Sequence, residues 1–309
     1  MKRIFHLNSE VQNAYILLHI SVFLWGFTAI LGQVITISAI PLVWWRILLT
    51  LITIFLIFDM RDELRGISFT LYKKLIYNGI LISIHWLLFY AAIKASNASI
   101  TLVCLSTTSF FTSIIEPMLN RSKIKWYQFF IGIIIVPGML LVFNSVQERM
   151  YWGLFLGLGA AFVAAVFSSL NKKIVDQVSA QCLSFVELGA GFLFLSVMVI
   201  VTYFADVYTL DDLLPNKADF IYLIILALVC TTLPFIFSIK ALRHLSAFAS
   251  NLTINLEPIY GVILAWLILK ENKELNTQFY IGGAIILLAV VFYPSIRNFF
   301  EKEEAVVDL

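Results

Sequence analysis

Residues 128–132 read QFFIG, and residues 278–282, which lie 150 positions further along the chain, read QFYIG. Each of these segments opens a long apolar run. A second matching pair, AIK at residues 92–94 and ALR at residues 241–243, is separated by 149 positions. The nearly equal offsets indicate that the chain contains two copies of one unit, each about 150 residues long.

The composition places both copies in a membrane. Of the 309 residues, 61% are hydrophobic and 13% are charged, whereas a soluble domain is close to half apolar and a quarter charged. These proportions exclude a cytosolic enzyme, a disordered chain and a nucleic-acid-binding protein. The net charge of +2 is too small for a polybasic binding surface. The three cysteines are widely spaced inside apolar runs, which predicts small buried side chains rather than disulfides or a metal site.

Ten apolar stretches are long enough to cross a membrane as helices, since a transmembrane helix needs about 20 mainly apolar residues. Their approximate bounds are 14–37, 42–58, 75–94, 97–119, 126–144, 152–171, 182–204, 219–239, 246–269 and 278–295. The sequence therefore predicts an all-α polytopic membrane protein. The predicted units are a first five-helix repeat at 14–144, a second at 152–295, and tails at 1–13 and 296–309.

The distribution of basic residues predicts how these helices are oriented. With ten spans, fifteen of the 21 Lys and Arg residues fall on the side of the N-terminus. Because cytoplasmic loops carry the excess of Lys and Arg, both termini and both tails are expected in the cytoplasm. Five helices, an odd number, precede the second copy, so that copy enters the bilayer from the opposite face. Inverted repeats of this kind are typical of secondary transporters with a site near the midplane; a relic of gene duplication in a structural bundle is the alternative.

Short motifs follow one another in a fixed order along the chain. They are Trp25-Gly26, Pro41 followed by Arg46, the Ala-x-Lys/Arg junctions at 92–94 and 241–243, Glu257-Pro258 and Lys270-Glu271. Their order, spacing and duplication resemble the drug/metabolite transporter superfamily and, within it, the EamA-type ten-helix carriers, over nearly the whole chain. The resemblance implies a bacterial-type inner-membrane secondary carrier with a central cavity lined by both repeats, commonly exporting amino acids or other small metabolites. Ser109 departs from the family pattern, in which proline is frequent at that place.

Glu257 is the first candidate for solute recognition. It lies near the centre of the ninth predicted span, where an ionisable side chain is costly unless it faces a cavity or a partner. Helical spacing places Ser250, Thr253 and Tyr260 on the same stripe. Pro258 removes a backbone donor and kinks the helix beside the carboxylate. The arrangement suits an ammonium group or a proton, and a protonated structural glutamate is the alternative reading.

The third predicted span carries His85, Trp86 and Tyr90 near its middle. An aromatic face can hold an apolar or a cationic solute, and an imidazole can bond that solute or exchange a proton near neutral pH. Trp25 and Tyr260 are expected to shape the same cavity. A buried histidine that only satisfies a helix contact is the alternative.

Other polar side chains divide between cavity and packing interpretations. Asn251 and Asn255 point away from the Glu257 stripe, so one of them is expected to bond a neighbouring helix. Ser109 belongs to a Ser/Thr face of the fourth span that suits a cavity or a helix contact equally. Glu116, within a turn of the predicted inner surface, is a candidate inner gate or a partner for a nearby basic residue.

Charged residues near the two membrane faces are further gate candidates. Arg46 and Glu187 occupy matching places in the second and seventh spans, 141 residues apart. Inverted topology would put them near opposite faces, so each needs a local partner. Glu271 is the expected partner of Arg46, and Arg243 or Lys240 that of Glu187. Permanent ion pairs that anchor loops are the alternative.

The predicted function is secondary transport of a small-molecule substrate across the lipid bilayer, by alternating access, with a proton or an ion as a candidate coupling partner. The chain has no G-x-x-x-x-G-K-[ST] segment, so ATP-driven pumping by this chain is excluded. No cofactor and no metal is predicted. The rival hypothesis is a membrane-embedded enzyme that uses His85 and Glu257 as an acid–base pair on a lipid-like substrate. It requires those two side chains to come within hydrogen-bond reach of each other.

Overall fold

The computed structural model describes residues 9–121, 126–254, 256–273, 275–289 and 292. Within these ranges the side chains of residues 126–133, 247–248 and 251–252 are not described. Every regular element of the described residues is helical. The predicted tails therefore lie almost wholly outside the described residues.

The helices follow one another with short connections. The first half contains α1 (Ser9–Val34), α2 (Ala39–Ile57), the short α3 (Arg61–Gly66), α4 (Phe69–Ala95), α5 (Ala98–Leu105), α6 (Thr108–Asn120) and α7 (Trp126–Ser145). The second half contains α8 (Tyr151–Ile174), α9 (Ala180–Phe204), the short α10 (Leu210–Leu213), α11 (Lys217–Ala227), α12 (Leu233–His244), α13 (Ala247–Ile254), α14 (Glu257–Leu264) and α15 (Thr277–Ala289).

Four helices begin at a side chain that caps their first turn. Ser68, Asn97, Ser179 and Asn216 stand directly before α4, α5, α9 and α11, and each accepts a backbone N–H at 2.9 to 3.3 Å. Such caps satisfy backbone donors that have no partner inside the helix. They fix where each helix leaves its loop.

Seven helical segments of the described residues are long and apolar enough to cross a membrane, and three apolar helices are shorter. The long segments are Ser9–Val34, Ala39–Ile57, Phe69–Ala95, Ala98–Asn120, Glu148–Ile174, Ala180–Phe204 and Leu210–His244, and the shorter ones are Ile134–Ser145, Glu257–Leu269 and Thr277–Ala289. The chain is therefore an all-α integral membrane protein, as the composition predicts. Ten spans and inverted repeats stay predictions.

Two predicted spans are interrupted in their middle. The span predicted at 97–119 divides into α5 and α6 at residues 106 and 107. The span predicted at 246–269 divides into α13 and α14, and Glu257 is the first residue of the second piece. Pro258 stands in the first turn of α14, where a missing backbone N–H is tolerated. Among the described residues, α13 ends at Ile254 and α14 begins at Glu257.

The large core is formed by α1, α2, α4, α9 and α12. Helix α4 packs on both α8 and α9. Gly79 of α4 permits this, because a Cβ atom there would lie 2.0 Å from the backbone oxygen of Glu187. Large side chains such as Leu56, Phe204 and Leu267 are more than 70% exposed on the outer surface, where lipid chains would cover them. Cys104, Cys182 and Cys230 are buried thiols, as predicted.

Candidate functional site

A cavity of about 120 Å³ lies inside the helix bundle. A water molecule needs about 10–15 Å³ on the same scale, so the cavity has room for several waters or for a small solute. Its polar lining includes Thr28, Arg46, His85, Asn171, Ser238 and Glu257. Its aromatic walls are Trp25, Trp86, Phe89, Phe167 and Phe235. Both halves of the chain therefore contribute to one cavity.

Arg46 is the buried cation of the cavity, and its side chain is 2% exposed. Its Nε donates to Thr231 Oγ1 at 2.8 Å, and its Nη1 donates to the Tyr90 hydroxyl at 2.9 Å. The guanidinium carbon lies 3.9 Å from the centroid of the Trp86 ring. An arginine held by two hydrogen bonds and an aromatic face has one preferred position. Among the described residues no hydrogen-bond acceptor is recorded for its Nη2.

The partners of Arg46 are themselves held in place. Thr231 lies in a π-helical segment, Leu228–Thr232, and its hydroxyl donates to the Leu226 carbonyl at 2.6 Å. Such segments interrupt the α-helical pattern and are frequent at functional sites. The Tyr90 ring is fully buried, and Gly32 makes room for it, because a Cβ at Gly32 would lie 2.6 Å from the ring.

Glu257 is the buried carboxylate of the same cavity, with 5% of its surface exposed. It interacts electrostatically with Arg46, but the described residues contain no ion pair between them within 4.0 Å. Within the described ranges no hydrogen bond reaches its oxygens. The Arg46 guanidinium and the Glu257 carboxyl group thus face one cavity without direct contact.

His85 lines the cavity from α4. Its Nδ1 lies 2.9 Å from the carbonyl oxygen of Ala160. A carbonyl can only accept, so Nδ1 carries the proton and Nε2 is left as an acceptor. The ring packs near Phe167, with 5.4 Å between ring centroids. His85 and Glu257 line the same cavity, and no hydrogen bond joins them in the part of the chain that the structure describes.

The structure separates the remaining recognition candidates. Trp25 and Trp86 line the cavity, whereas Tyr90 acts on it through Arg46. Tyr260 packs against α1 instead. Its Cβ lies so close to Gly26 that a Cβ atom added at Gly26 would be only 3.0 Å away.

Three more candidates lie elsewhere or cannot be placed. Ser109 is 4% exposed and lies outside the cavity lining. The side chain of Asn251 and the whole of Asn255 lie outside the described residues.

The expected pair of Arg46 and Glu271 is wrong. Glu271 instead accepts the backbone N–H groups of Ala98 and Ser99 at 3.1 and 3.0 Å, together with the Ser99 hydroxyl at 2.5 Å. Its carboxylate caps α5. Arg46 is the eighth residue of α2, about 10 Å along its axis. That depth takes the guanidinium away from the membrane face and into the central cavity.

The expected pair of Glu187 with Arg243 or Lys240 is also not formed among the described residues. Two amides bind the Glu187 carboxylate, Asn78 and Asn171. Arg243 donates from Nη2 to the Val178 carbonyl oxygen at 2.5 Å. Glu116 is half-buried and interacts electrostatically with Lys172 of α8.

Sequence reasoning missed several side chains of this region, among them Thr231, Asn78 and Asn171. A polar residue inside an apolar span is a candidate by default, and Asn78 lies inside the predicted third span. Asn171 stands at the last position of the predicted sixth span, whereas α8 continues to Ile174. Thr231 accepts a hydrogen bond from Arg46 and lies in a π-helical segment, which helical periodicity does not predict.

The whole chain has recognisable relatives. The family model described as EamA-like transporter family matches residues 12–144 and 151–293. An uncharacterized transporter of Clostridium kluyveri is 23% identical over 238 residues, which cover 74% of this chain and 72% of the relative. An uncharacterized transporter of Synechocystis sp. is 23% identical over 233 residues, which cover 70% of this chain and 64% of the relative. A solved crystal structure superposes with a TM-score of 0.64 at 10% identity, over 90% of this chain and 95% of the other, and so has the same fold.

Proposed function

Because this chain belongs to the EamA-like transporter family of the drug/metabolite transporter superfamily, we propose that it is a secondary carrier of small zwitterionic metabolites, with amino acids as the leading class. One observation carries the proposal. Arg46 and Glu257 face the same buried, aromatic-walled cavity without neutralising each other by direct contact.

A zwitterion satisfies both charges at once. Its carboxylate can accept from Nη2 of Arg46, a charge-assisted hydrogen bond. Its ammonium group can bind the Glu257 carboxylate, and the Trp25 and Trp86 rings can stabilise a cation further. A solute with only one charge would leave the opposite protein charge buried and unpaired, which is strongly unfavourable.

Alternating access between two inverted repeats is the proposed mechanism. Two family-model matches of similar length support two equivalent units. In the described residues, one span of each unit consists of two successive α-helices, α5–α6 in the first and α13–α14 in the second. Discontinuous helices of this kind form the midplane sites of many secondary transporters.

Export from the cell across the inner membrane is the proposed direction, as the family resemblance implies. Along α1, which begins at Ser9, the cavity-lining residues are Leu18, Trp25 and Thr28, on both sides of the helix midpoint. Along α8, which ends at Ile174, the lining residues are all in the second half. The cavity therefore lies at an intermediate depth of the bundle, and the export assay below tests the direction.

The test compares metabolites outside cells that overproduce the wild type, Glu257→Gln, Glu148→Gln or an empty vector, at matched expression. Glu148 is an exposed glutamate outside the cavity and serves as the control. We expect one class of zwitterion to accumulate outside cells with the wild type and Glu148→Gln only. Equal export by Glu257→Gln would remove Glu257 from recognition. Equal levels for wild type and vector would contradict export.

A further inference from the structure

A second buried carboxylate lies outside the lining of the central cavity. Glu187 of α9 has no exposed surface. Its Oε1 accepts from Asn78 Nδ2 at 2.8 Å and its Oε2 from Asn171 Nδ2 at 3.3 Å. Asn78 belongs to α4 and Asn171 to the last turn of α8, so three helices meet at this carboxylate. An ionisable group inside a membrane helix is costly, and such groups often mark proton or ion pathways.

No positive charge of the described residues compensates Glu187. Basic side chains of the neighbouring helices α2, α4, α8 and α12 have other hydrogen-bond partners. Arg46 bonds Tyr90 and Thr231, His85 bonds a carbonyl of α8, Lys172 bonds carbonyls of α12, and Arg243 bonds the loop before α9. In the described residues, two neutral amides are therefore the hydrogen-bond partners of the carboxylate.

Each of the two amides also has an unused oxygen. Asn78 Oδ1 and Asn171 Oδ1 are buried and have no hydrogen-bond donor among the described residues. An ionised carboxylate only accepts, whereas a protonated carboxyl group has one O–H donor. If one amide rotates by 180°, its Oδ1 accepts that O–H while the other amide still donates its N–H. The cluster thus contains a complete set of partners for the neutral acid.

Asn171 is the amide that is placed to rotate. Its hydrogen bond to Glu187 is the longer of the two, and Asn171 also lines the central cavity, which Asn78 does not. Rotation exchanges the amide atom that faces Glu187. It therefore also exchanges the atom on the opposite side of the amide, toward the cavity.

We propose that Glu187 is a proton-binding site of this carrier and that Asn171 links its protonation to the central cavity, an inference that rests on the carrier function proposed above. A proton from water in the cavity adds to the carboxylate and forms the carboxyl O–H. The Asn171 amide rotates, its Oδ1 accepts that O–H, and its Nδ2 turns toward the cavity. Release of the proton reverses both changes. Low pH favours the first arrangement and high pH the second.

Infrared difference spectroscopy on the purified full-length protein tests the proton site without any solute. The C=O stretching band of a protonated carboxyl group is compared between acidic and alkaline samples of wild type, Glu187→Gln and Glu257→Gln. We expect Glu187→Gln to lose a pH-dependent band that Glu257→Gln retains. If Glu187→Gln keeps every pH-dependent band of the wild type, Glu187 does not exchange a proton and the proposal fails.

The link to the cavity is tested by exchange in proteoliposomes, with a mixture of the 20 proteinogenic L-amino acids as the probe. We expect wild type and Glu148→Gln to show a one-proton dependence that approaches about tenfold per pH unit. Glu187→Gln and Asn171→Leu should exchange at a nearly constant rate across pH. A wild-type pH profile in Asn171→Leu would overturn the link. If the wild type exchanges none of these solutes, it is the proposed solute class that fails, while the infrared bands still decide the role of Glu187.

Discussion

The guanidinium carbon of Arg46 lies 3.9 Å from the centroid of the Trp86 ring, and the same guanidinium donates to Tyr90 one helical turn further along α4. The two aromatic residues are spaced i, i+4 and so share one face of their helix. That face supports the buried cation from one side and leaves the other side toward the cavity. The cation of the site is thus positioned before any solute arrives, which lowers the entropy cost of binding.

Replacing the Trp86 ring tests this support. A desolvated cation–π contact contributes about 2 kcal/mol, so we expect Trp86→Leu to weaken solute binding by roughly thirtyfold. Trp86→Phe keeps an aromatic face and should lie between wild type and Trp86→Leu. Binding to the purified protein gives the order directly. Trp152→Leu, an exposed position on the outer surface, is the control, and an equal loss in both Leu variants would mean that the ring acts only through packing.

Arg46→Lys separates the charge of Arg46 from its geometry. Lysine keeps the positive charge but cannot bond Thr231, Tyr90 and a solute at once from a rigid fork. Loss of one charge-assisted hydrogen bond corresponds to about 1.5–3 kcal/mol, so we expect export to fall by roughly 10- to 100-fold. Arg149→Lys, at an exposed position, should export normally. Full activity of Arg46→Lys would show that the charge alone is sufficient.

The membrane character of the chain and the candidacy of Glu257, which lines the cavity, follow from patterns that the sequence contains directly. Apolar runs of about 20 residues predict spanning helices because the bilayer has a fixed thickness, and a glutamate in such a run stands out because burying its charge is costly. Pro258 likewise predicts a helix boundary beside Glu257, where α14 begins.

The partners of charged residues were not predictable in the same way. The offset between Arg46 and Glu187 describes where they lie along their own helices, but a partner is set by which helices touch. Asn78, Asn171 and Thr231 reach these charges from sequence separations of 109, 16 and 185 residues. The sequence therefore predicts Glu271 as the partner of Arg46, whereas in the structure the Glu271 carboxylate accepts backbone N–H groups of α5.

Gly79→Ala tests the close approach of α4 and α9. The added Cβ would lie 2.0 Å from the backbone oxygen of Glu187, and backbone cannot move aside as a side chain can. Overpacking a core typically costs about 1–3 kcal/mol and occasionally more, so we expect a clear fall in the thermal unfolding temperature in detergent. Gly189→Ala on α9 is the matched control, because its Cβ would meet nothing within 4 Å. Equal unfolding temperatures for the two variants would contradict the contact.

Glu271→Gln tests the capping of α5. The carboxylate accepts two backbone N–H groups and one hydroxyl at the start of that helix. An amide can accept at only one of its two ends, and loss of a capping interaction costs about 0.5–2 kcal/mol. We expect a lower unfolding temperature with solute specificity unchanged, because Glu271 lies outside the central cavity. A change in which solute is exported, at unchanged stability, would instead assign Glu271 to recognition.

The loop between α1 and α2 and the loop between α8 and α9 are each bound by a carboxylate in the same way. After α1, the carboxylate of Asp219 accepts the backbone N–H and the hydroxyl of Thr36 at 2.8 and 2.6 Å. Before α9, the carboxylate of Glu63 accepts the backbone N–H of Ser179 and its hydroxyl. In each case a carboxylate from one half binds a loop of the other. Inverted repeats would place these two similar loops on opposite faces of the membrane.

Cysteine labelling tests that placement. Gln33, in the last turn of α1, and Gln177, in the loop before α9, are exposed and stand close in sequence to the bonded Thr36 and Ser179. The native cysteines are buried, so background labelling should be low. With the N-terminus inside, an impermeant thiol reagent added to intact cells should label Gln33→Cys and leave Gln177→Cys unlabelled until the membrane is opened. Labelling of both variants from the same side would contradict inverted topology, since an odd number of spans in the first half is what separates the two loops. Reversed labelling would keep the inversion and turn the whole protein over, so that the N-terminus would lie outside the cytoplasm.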